Sequence, residues 1–256
     1  MSWNLNGKTA IITGGTKGIG LAISKEFLNL GANLIVIARD EAILDACIHQ
    51  WHDEGHHVTG IAADIGNKKH HQKILQAVGE KTTSVDILVN NVGDNVPKSF
   101  IAYADAEYLN IFNVNLFGAI DMLRLFFPLL SKSSAASVIN MASVAGITNV
   151  GTGAMYAMCK SAVIQLTKCL AVEWAPYHIR VNAVAPWFTG TDRINRLLQN
   201  EALKEYVINH TPLGRIASTE EIANTVAFLA MSRASYITGE TIVVDGGFLA
   251  NQGDVF

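Results

Sequence analysis

Thr9-Ala10-Ile11-Ile12-Thr13-Gly14-Gly15-Thr16-Lys17-Gly18-Ile19-Gly20 is the stretch whose reading decides the fold, and residues 21–30 continue it with apolar side chains at helical spacing. A short apolar run, a turn dense in glycine and a helical pattern in immediate succession read as strand, turn and helix. Glycine is needed there because the backbone must turn tightly and let an anion approach the helix N-terminus, where unpaired N–H groups and the dipole favour negative charge. Following a strand and opening a helix, the turn predicts a dinucleotide site, with Gly14, Thr16, Lys17, Gly18, Ile19 and Gly20 as candidate contacts.

Outward from that turn the chain keeps alternating. Strand patterns at 33–38, 58–63, 85–89, 136–141, 179–185 and 241–245 are separated by helical patterns at 41–51, 106–130, 154–174 and 218–231. Such alternation predicts an α/β fold: one Rossmann-type, doubly wound parallel sheet with helices on both faces, spanning 1–256 as a single domain. Ser218 with Glu221 forms a capping box at the start of the 218–231 helix.

Half the residues are apolar and only 16% are charged, so the core is large or part of the surface is covered by another subunit; a homodimer or homotetramer is expected. A net charge of -3 argues against nucleic acid or an anionic membrane as partner. Cys47, Cys159 and Cys169 are odd in number and include no C-x-x-C, which points to a reducing, cytoplasmic setting without a disulfide framework or zinc ribbon. The polar start of the chain, with Asn4, Asn6 and Lys8, reads as lacking a signal peptide. The most apolar long stretch, 109–130, is interrupted by Asn113, Asn115, Asp121, Arg124 and Pro128, and is read as no membrane span. His49, His52, His56, His57, His70 and His71 crowd one region, read as a solvated face; no metal site is expected.

The chemistry is expected from Tyr156 and Lys160, which lie four apart and would share one face of the helix at 154–174. Bringing a phenol from ~10 to about 7 requires roughly 4 kcal/mol in favour of the phenolate. An ammonium at ~4 Å supplies on the order of that amount in an effective dielectric of ~20. Ser143, at the carboxyl end of the fifth strand, could hold the oxygen that the tyrosine protonates. Asn115 sits inside an apolar helical stretch and demands a hydrogen-bond partner.

The glycine turn, Asn90-Asn91-Val92-Gly93, Asn115, Ser143 and the Tyr156/Lys160 pair, in this order and spacing, resemble the short-chain dehydrogenase/reductase family from about Asn4 to Gly247. The pattern Gly14-x-x-x-Gly18-x-Gly20 resembles that family's version of the dinucleotide turn. The resemblance implies that Asn115, Ser143, Tyr156 and Lys160 are the catalytic set, with Asn115 kinking its helix and holding a water that links the lysine to solvent. It further implies cofactor contacts from Asp64 and Ile65 near the adenine, from Asn91 and Gly93, with Gly93 leaving room for the ribose, from Tyr156 and Lys160, the lysine at the nicotinamide ribose, and from Pro186, Thr189 and Thr191. Residues 192–210 resemble the family's substrate lid. The chain departs from the pattern at Trp187, where the family usually has glycine; the indole is expected on the nicotinamide or at the substrate mouth.

Cofactor choice turns on Arg39-Asp40. An acid about twenty residues past the last glycine would meet the ribose hydroxyls of NAD, and that count lands on Asp40. The family register instead puts a basic residue, Arg39, at the discriminating position, with Lys17 a second cation, and implies NADP(H) over NAD(H). Trp3-Asn4-Leu5, Cys47 with Trp51, residues 166–175 and Ala250-Asn251 look similar to the tropinone-reductase-like branch. Val96, Val144, Ile147, Val150, Trp187 and Phe188 make the expected pocket apolar, suited to an uncharged ketone or secondary alcohol, and Asp94 is the nearby acid. The expected activity is hydride transfer between NADP(H) and a small carbonyl compound. An NAD-dependent alcohol dehydrogenase and a non-catalytic nucleotide-sensing scaffold are the alternatives.

Overall fold

The structure, a computed structural model, describes residues 3–251. Its strands are β1 (Thr9–Thr13), β2 (Asn33–Ala38), β3 (Val58–Ala62), β4 (Ile87–Asn90), β5 (Ala136–Met141), β6 (Ile179–Pro186) and β7 (Thr241–Val244). All pairings are parallel, in the order β3-β2-β1-β4-β5-β6-β7. The order reverses direction between β1 and β4, the point at which an open sheet leaves a crevice beyond the carboxyl ends of its strands. The helices are α1 (Gly18–Asn29), α2 (Glu41–Asp53), α3 (His71–Gly79), α4 (Asp105–Phe112), α5 (Gly118–Leu130), α6 (Ala154–Glu173), α7 (Asp192–Leu197), α8 (Glu201–Asn209) and α9 (Thr219–Ala230).

Both faces of the sheet are dry. Ala10 and Ile12 of β1 join a core completed by Ile23 and Phe27 of α1, Trp51 of α2 and Val226 of α9. Ile11 points the other way, into a core built from Ile74 of α3, Phe126 of α5 and Leu170 of α6. Side chains alternate between faces with period two, and because each face meets a helical layer the strands read as unbroken apolar runs.

Three expected elements are redrawn. The fourth strand runs 87–90 rather than 85–89, because the Val85 N–H is taken by the Leu129 carbonyl at 3.1 Å while Asn90 joins the sheet opposite Asn140. The helix expected over 106–130 is two helices joined by a π-helical turn at Asn113–Phe117. The segment Asp105–Leu130 is long and apolar enough in composition to cross a membrane, but Met122, Leu123, Phe126 and Leu130 are buried against the sheet, which makes it a core element. Residues 192–210 form two helices, since the Asn200 side chain accepts from the Leu203 N–H at 3.1 Å and starts α8 afresh.

The histidines are not simply a solvated face. His52 and His71 bond the carbonyls of Val58 and Ile65, each at 2.8 Å, and His70 Nδ1 accepts from the Asp64 N–H at 2.9 Å. They tie helices to the ends of β3. Among the described residues no group of three or more His, Cys, Asp or Glu side chains converges on a point.

Candidate active site

The glycine turn closes on itself. Gly14 and Gly18 have positive φ, and a Cβ on Gly20 would lie 2.1 Å from the Gly14 carbonyl oxygen, so the turn and the first coil of α1 are in backbone contact. Asn91 Nδ2 clamps the same point, donating to the carbonyls of Thr13 and Gly14 at 3.1 and 3.2 Å. No side chain caps the N-terminus of α1 and its first turn holds no acid. Its N–H groups are therefore available to an anion, and the residues present fit a phosphate-bearing nucleotide. Thr16 is buried beneath the turn and Ile19 half-buried beside it.

At the end of β2 the two residues that decide cofactor choice behave differently. Asp40 Oδ1 caps α2 by accepting from Ile43 N–H at 3.2 Å, and Oδ2 receives the Lys17 ammonium at 3.3 Å. The Ile43 bond foremost, and Lys17 with it, hold its carboxyl below the usual carboxylate value. Arg39 is exposed and pairs with no other described residue. Beyond β3, Asp64 Oδ1 accepts from Gly66 N–H at 2.9 Å in a local turn and caps no helix; Ile65 is buried next to it.

Over the carboxyl ends of β4 and β5 the four candidate catalytic residues converge. Asn115 lies on the π-helical turn and is buried. Its amide donates to Ile111 O at 2.8 Å and Asp94 O at 2.7 Å, while its oxygen accepts from Asp94 N–H at 3.1 Å. Beside the wide turn the asparagine amide adds a side-chain bond to a carbonyl of its own helix. A Cβ on Gly93 would lie 3.0 Å from Asn115 Oδ1 and 3.4 Å from Lys160 Nζ, so the open side of this glycine faces the lysine and the asparagine. Lys160 is buried; its ammonium donates to the Met141 carbonyl at 2.8 Å and lies 5.5 Å from the centre of the Tyr156 ring.

This geometry corrects the electrostatic expectation. The lysine is aimed at a backbone carbonyl rather than at the phenol oxygen, and burial pushes Tyr156 above the ordinary phenol value, with the nearby Ser143 hydroxyl acting in the opposite sense. Burial also holds Lys160 down to about 8. Ser143 Oγ already accepts from Ala145 N–H at 3.2 Å, leaving its own proton to give. Cys159, between the pair in sequence, is buried against Ile111 and Met155, and burial pushes its thiol up to about 11, which makes it an apolar filler rather than a nucleophile.

Pro186, which ends β6, and Thr189 beyond it are buried. Thr191 Oγ1 caps α7 by accepting from Ile194 N–H at 3.3 Å, so its hydroxyl is partly used. Trp187 lines a cavity with Phe188, Thr211 and Leu213. It is buried, stacked on Phe248 at 3.8 Å between centroids, and its Nε1 donates to Thr211 Oγ1 at 3.2 Å. Around it gather Val144 and, from the 192–209 helix pair, Leu198 and Val207. Val96 and Ile147, expected in the pocket, are exposed. Arg193, overlooked in the sequence as one more charge on an amphipathic face, reaches across to Asp94 and to the Asn95 carbonyl.

The parallel sheet, the anion-ready turn at its switch point and the Tyr/Lys pair beside it define a nucleotide-dependent oxidoreductase. Residues 14–249 match the family model described as enoyl-(acyl carrier protein) reductase. A tropinone reductase homolog of Arabidopsis thaliana is 40% identical over 250 residues, covering 97% of this chain and 95% of its own. A chloroplastic homolog from the same plant is 38% identical, with 97% and 78% covered. Among solved structures, a gluconate 5-dehydrogenase from Burkholderia cenocepacia in complex with NADP and tartrate superposes with a TM-score of 0.92 at 27% identity, covering 97% of each chain. A 3-oxoacyl-[acyl-carrier protein] reductase from Brucella melitensis with bound NAD has a TM-score of 0.87 at 29% identity, covering 96% of this chain and 92% of that one. The chain belongs to the short-chain dehydrogenase/reductase family, whose members use nicotinamide cofactors.

Proposed function

We propose that the protein is an NADP(H)-dependent carbonyl reductase that interconverts a small ketone and its secondary alcohol. The observation carrying this reading is the convergence of Ser143, Tyr156 and Lys160 at the carboxyl edge of the sheet, beside the uncapped N-terminus of α1. The glycine turn with Thr16, Ile19 and the α1 N–H groups would hold the diphosphate, Asp64, Ile65, Asn91 and Gly93 the adenosine side, and Pro186, Thr189 and Thr191 the nicotinamide side. When bound, the reduced nicotinamide supplies the hydride. Ser143 donates its free proton to the substrate oxygen and orients it, and Tyr156 delivers the proton that completes the alcohol. A phenol kept protonated by burial suits the reducing direction. Lys160, with two N–H groups left beyond the Met141 bond, would hold the nicotinamide ribose and return to the Tyr156 phenolate the proton it has given up, drawn from solvent through a water beside Asn115 in the space before Gly93.

Preference for the phosphorylated cofactor rests on Arg39 standing unpaired among the described residues while Asp40 is engaged by α2 and Lys17. Arg39→Ala is expected to weaken NADPH binding about 10- to 100-fold, the worth of a charge-assisted hydrogen bond, with NADH within about twofold. Fluorescence titration with both cofactors measures it; unaltered NADPH affinity would favour Asp40 and NAD. Gly93→Ala puts a methyl against Asn115 Oδ1 and Lys160 Nζ, at a position also proposed to face the adenosine ribose, and is expected to cut kcat about tenfold and to weaken cofactor binding together with it. A cofactor-absorbance assay over a ketone panel tests the activity itself.

We also infer a homo-oligomer in a reducing cytoplasm. Leu109, Phe117, Met158 and Val172 are large apolar side chains exposed on the helical layer around α4 and α6, and Cys47, Cys159 and Cys169 are free. The pair α7 and α8 acts as the substrate lid, its inner face resting on Val144 and Trp187. Light scattering tests the assembly.

A further inference from the structure

The second attachment of this helix pair is polar. Arg193 of α7 donates from one guanidinium nitrogen to the Asp94 carboxylate and from the other to the Asn95 carbonyl, a contact that spans 99 residues of chain. Both side chains are half exposed, at 46% and 52%, so the pair crosses open space at the rim. The receiving loop is rigid. Asp94 is pinned by its backbone, whose N–H and C=O both bond the Asn115 side chain, and Asn95 Nδ2 donates to the Thr152 carbonyl at 2.9 Å. The pair lies close enough to Tyr156 that the charge of Arg193 favours the phenolate and that of Asp94 opposes it.

We propose that Asp94 and Arg193 are positioning residues that latch the lid over Tyr156, with the latch seated on the same backbone unit that aligns Asn115. This rests on the reductase reading. Asp94, expected above as an acid available to the substrate, is thereby neutralised in the closed state, which fits an uncharged carbonyl substrate and disfavours a cationic amine at this edge. A fork-held cation against a carboxylate and a carbonyl suits the task because it is directional when made and breaks readily in water.

The test uses Arg193→Ala and Asp94→Asn, singly and combined, on the full chain. Hydrogen exchange is followed at amides 192–209, and steady-state kinetics use NADPH and the fastest ketone of the panel. Each single variant is expected to speed α7 exchange and raise KM about fivefold, the ratio that one half-exposed ion pair sustains, with kcat within about twofold. The double variant should be no worse than Arg193→Ala. Raising ionic strength should loosen the parent's α7 and leave that of Arg193→Ala unmoved, a response no plain packing role produces. Unchanged exchange in Arg193→Ala, or effects of the two singles that add in full, would overturn the latch. A parent protein that turns over no carbonyl overturns the reductase reading instead, and the exchange measurement, which needs no substrate, still decides the latch.

Discussion

Tyr156→Phe is expected to lower kcat about 10³-fold while leaving NADPH affinity within about threefold, because it removes one oxygen and its proton and nothing else. The ring keeps its place against Ile111, Met155 and Cys159 and its position under the Lys160 ammonium. Cofactor contacts proposed for Lys160 and the glycine turn are untouched, so binding and turnover separate. The loss is expected in kcat rather than KM, since the proton is transferred in the transition state and contributes little to holding the ketone. Cofactor titration alongside the absorbance assay reads both quantities. A variant with parental turnover would remove Tyr156 as the acid, and Ser143 would then be the nearest remaining hydroxyl.

Lys160→Met carries the other large effect, in two opposed directions. Turnover should fall by a similar ~10³-fold, because both the ribose contact and the relay donor disappear. Stability at neutral pH should rise. Lys160 is held down to about 8 by burial against an ordinary value of 10.5. Between those values the unfolded chain carries a proton that the folded chain lacks, so parent stability increases as pH climbs from about 8 toward 10.5. Below about 8 the full burden of a buried ammonium is present, roughly 3 kcal/mol at about 1.36 kcal/mol per unit. Methionine removes the charge with similar volume but strands the Met141 carbonyl, a loss of about 1 kcal/mol. The balance is a gain of about 2 kcal/mol at pH 7, and a denaturation midpoint that no longer climbs between pH 8 and 10. A variant destabilised equally at both pH values would mean that the buried lysine is carried without strain. This is the stability cost expected where a site keeps a charge in a dry place.

What was legible in the chain follows from which physical signals are local. Residues 9–20 could be read as strand, turn and helix because glycine spacing and the switch from unbroken to helical apolar pattern are properties of neighbouring residues. The order of strands and helices followed for the same reason, and four catalytic candidates could be named because their spacing resembles a family. Element ends were less legible. The Val85 N–H goes to Leu129, forty-four positions along the chain, and no feature near Val85 announces it. Asn115 signalled trouble in an apolar helix, but not that the helix widens there and that its own amide bonds the Ile111 carbonyl.

By itself, the sequence determined the α/β alternation, the glycine cradle and the identities of the groups that converge. Only the tertiary structure decided how those groups act on one another. Lys160 and Tyr156 share a helix face in any reading, yet the sign of the tyrosine's shift depends on how dry the surroundings are and on a carbonyl of β5 that captures the ammonium. That Trp187 lies under the lid was decided by Phe248 and Thr211, which arrive beside it from other parts of the chain. Arg193 and Asp94 are unremarkable apart from each other until the fold brings them together across the rim. Desolvation and long-range charge depend on three-dimensional neighbours, and a linear order of residues does not contain them.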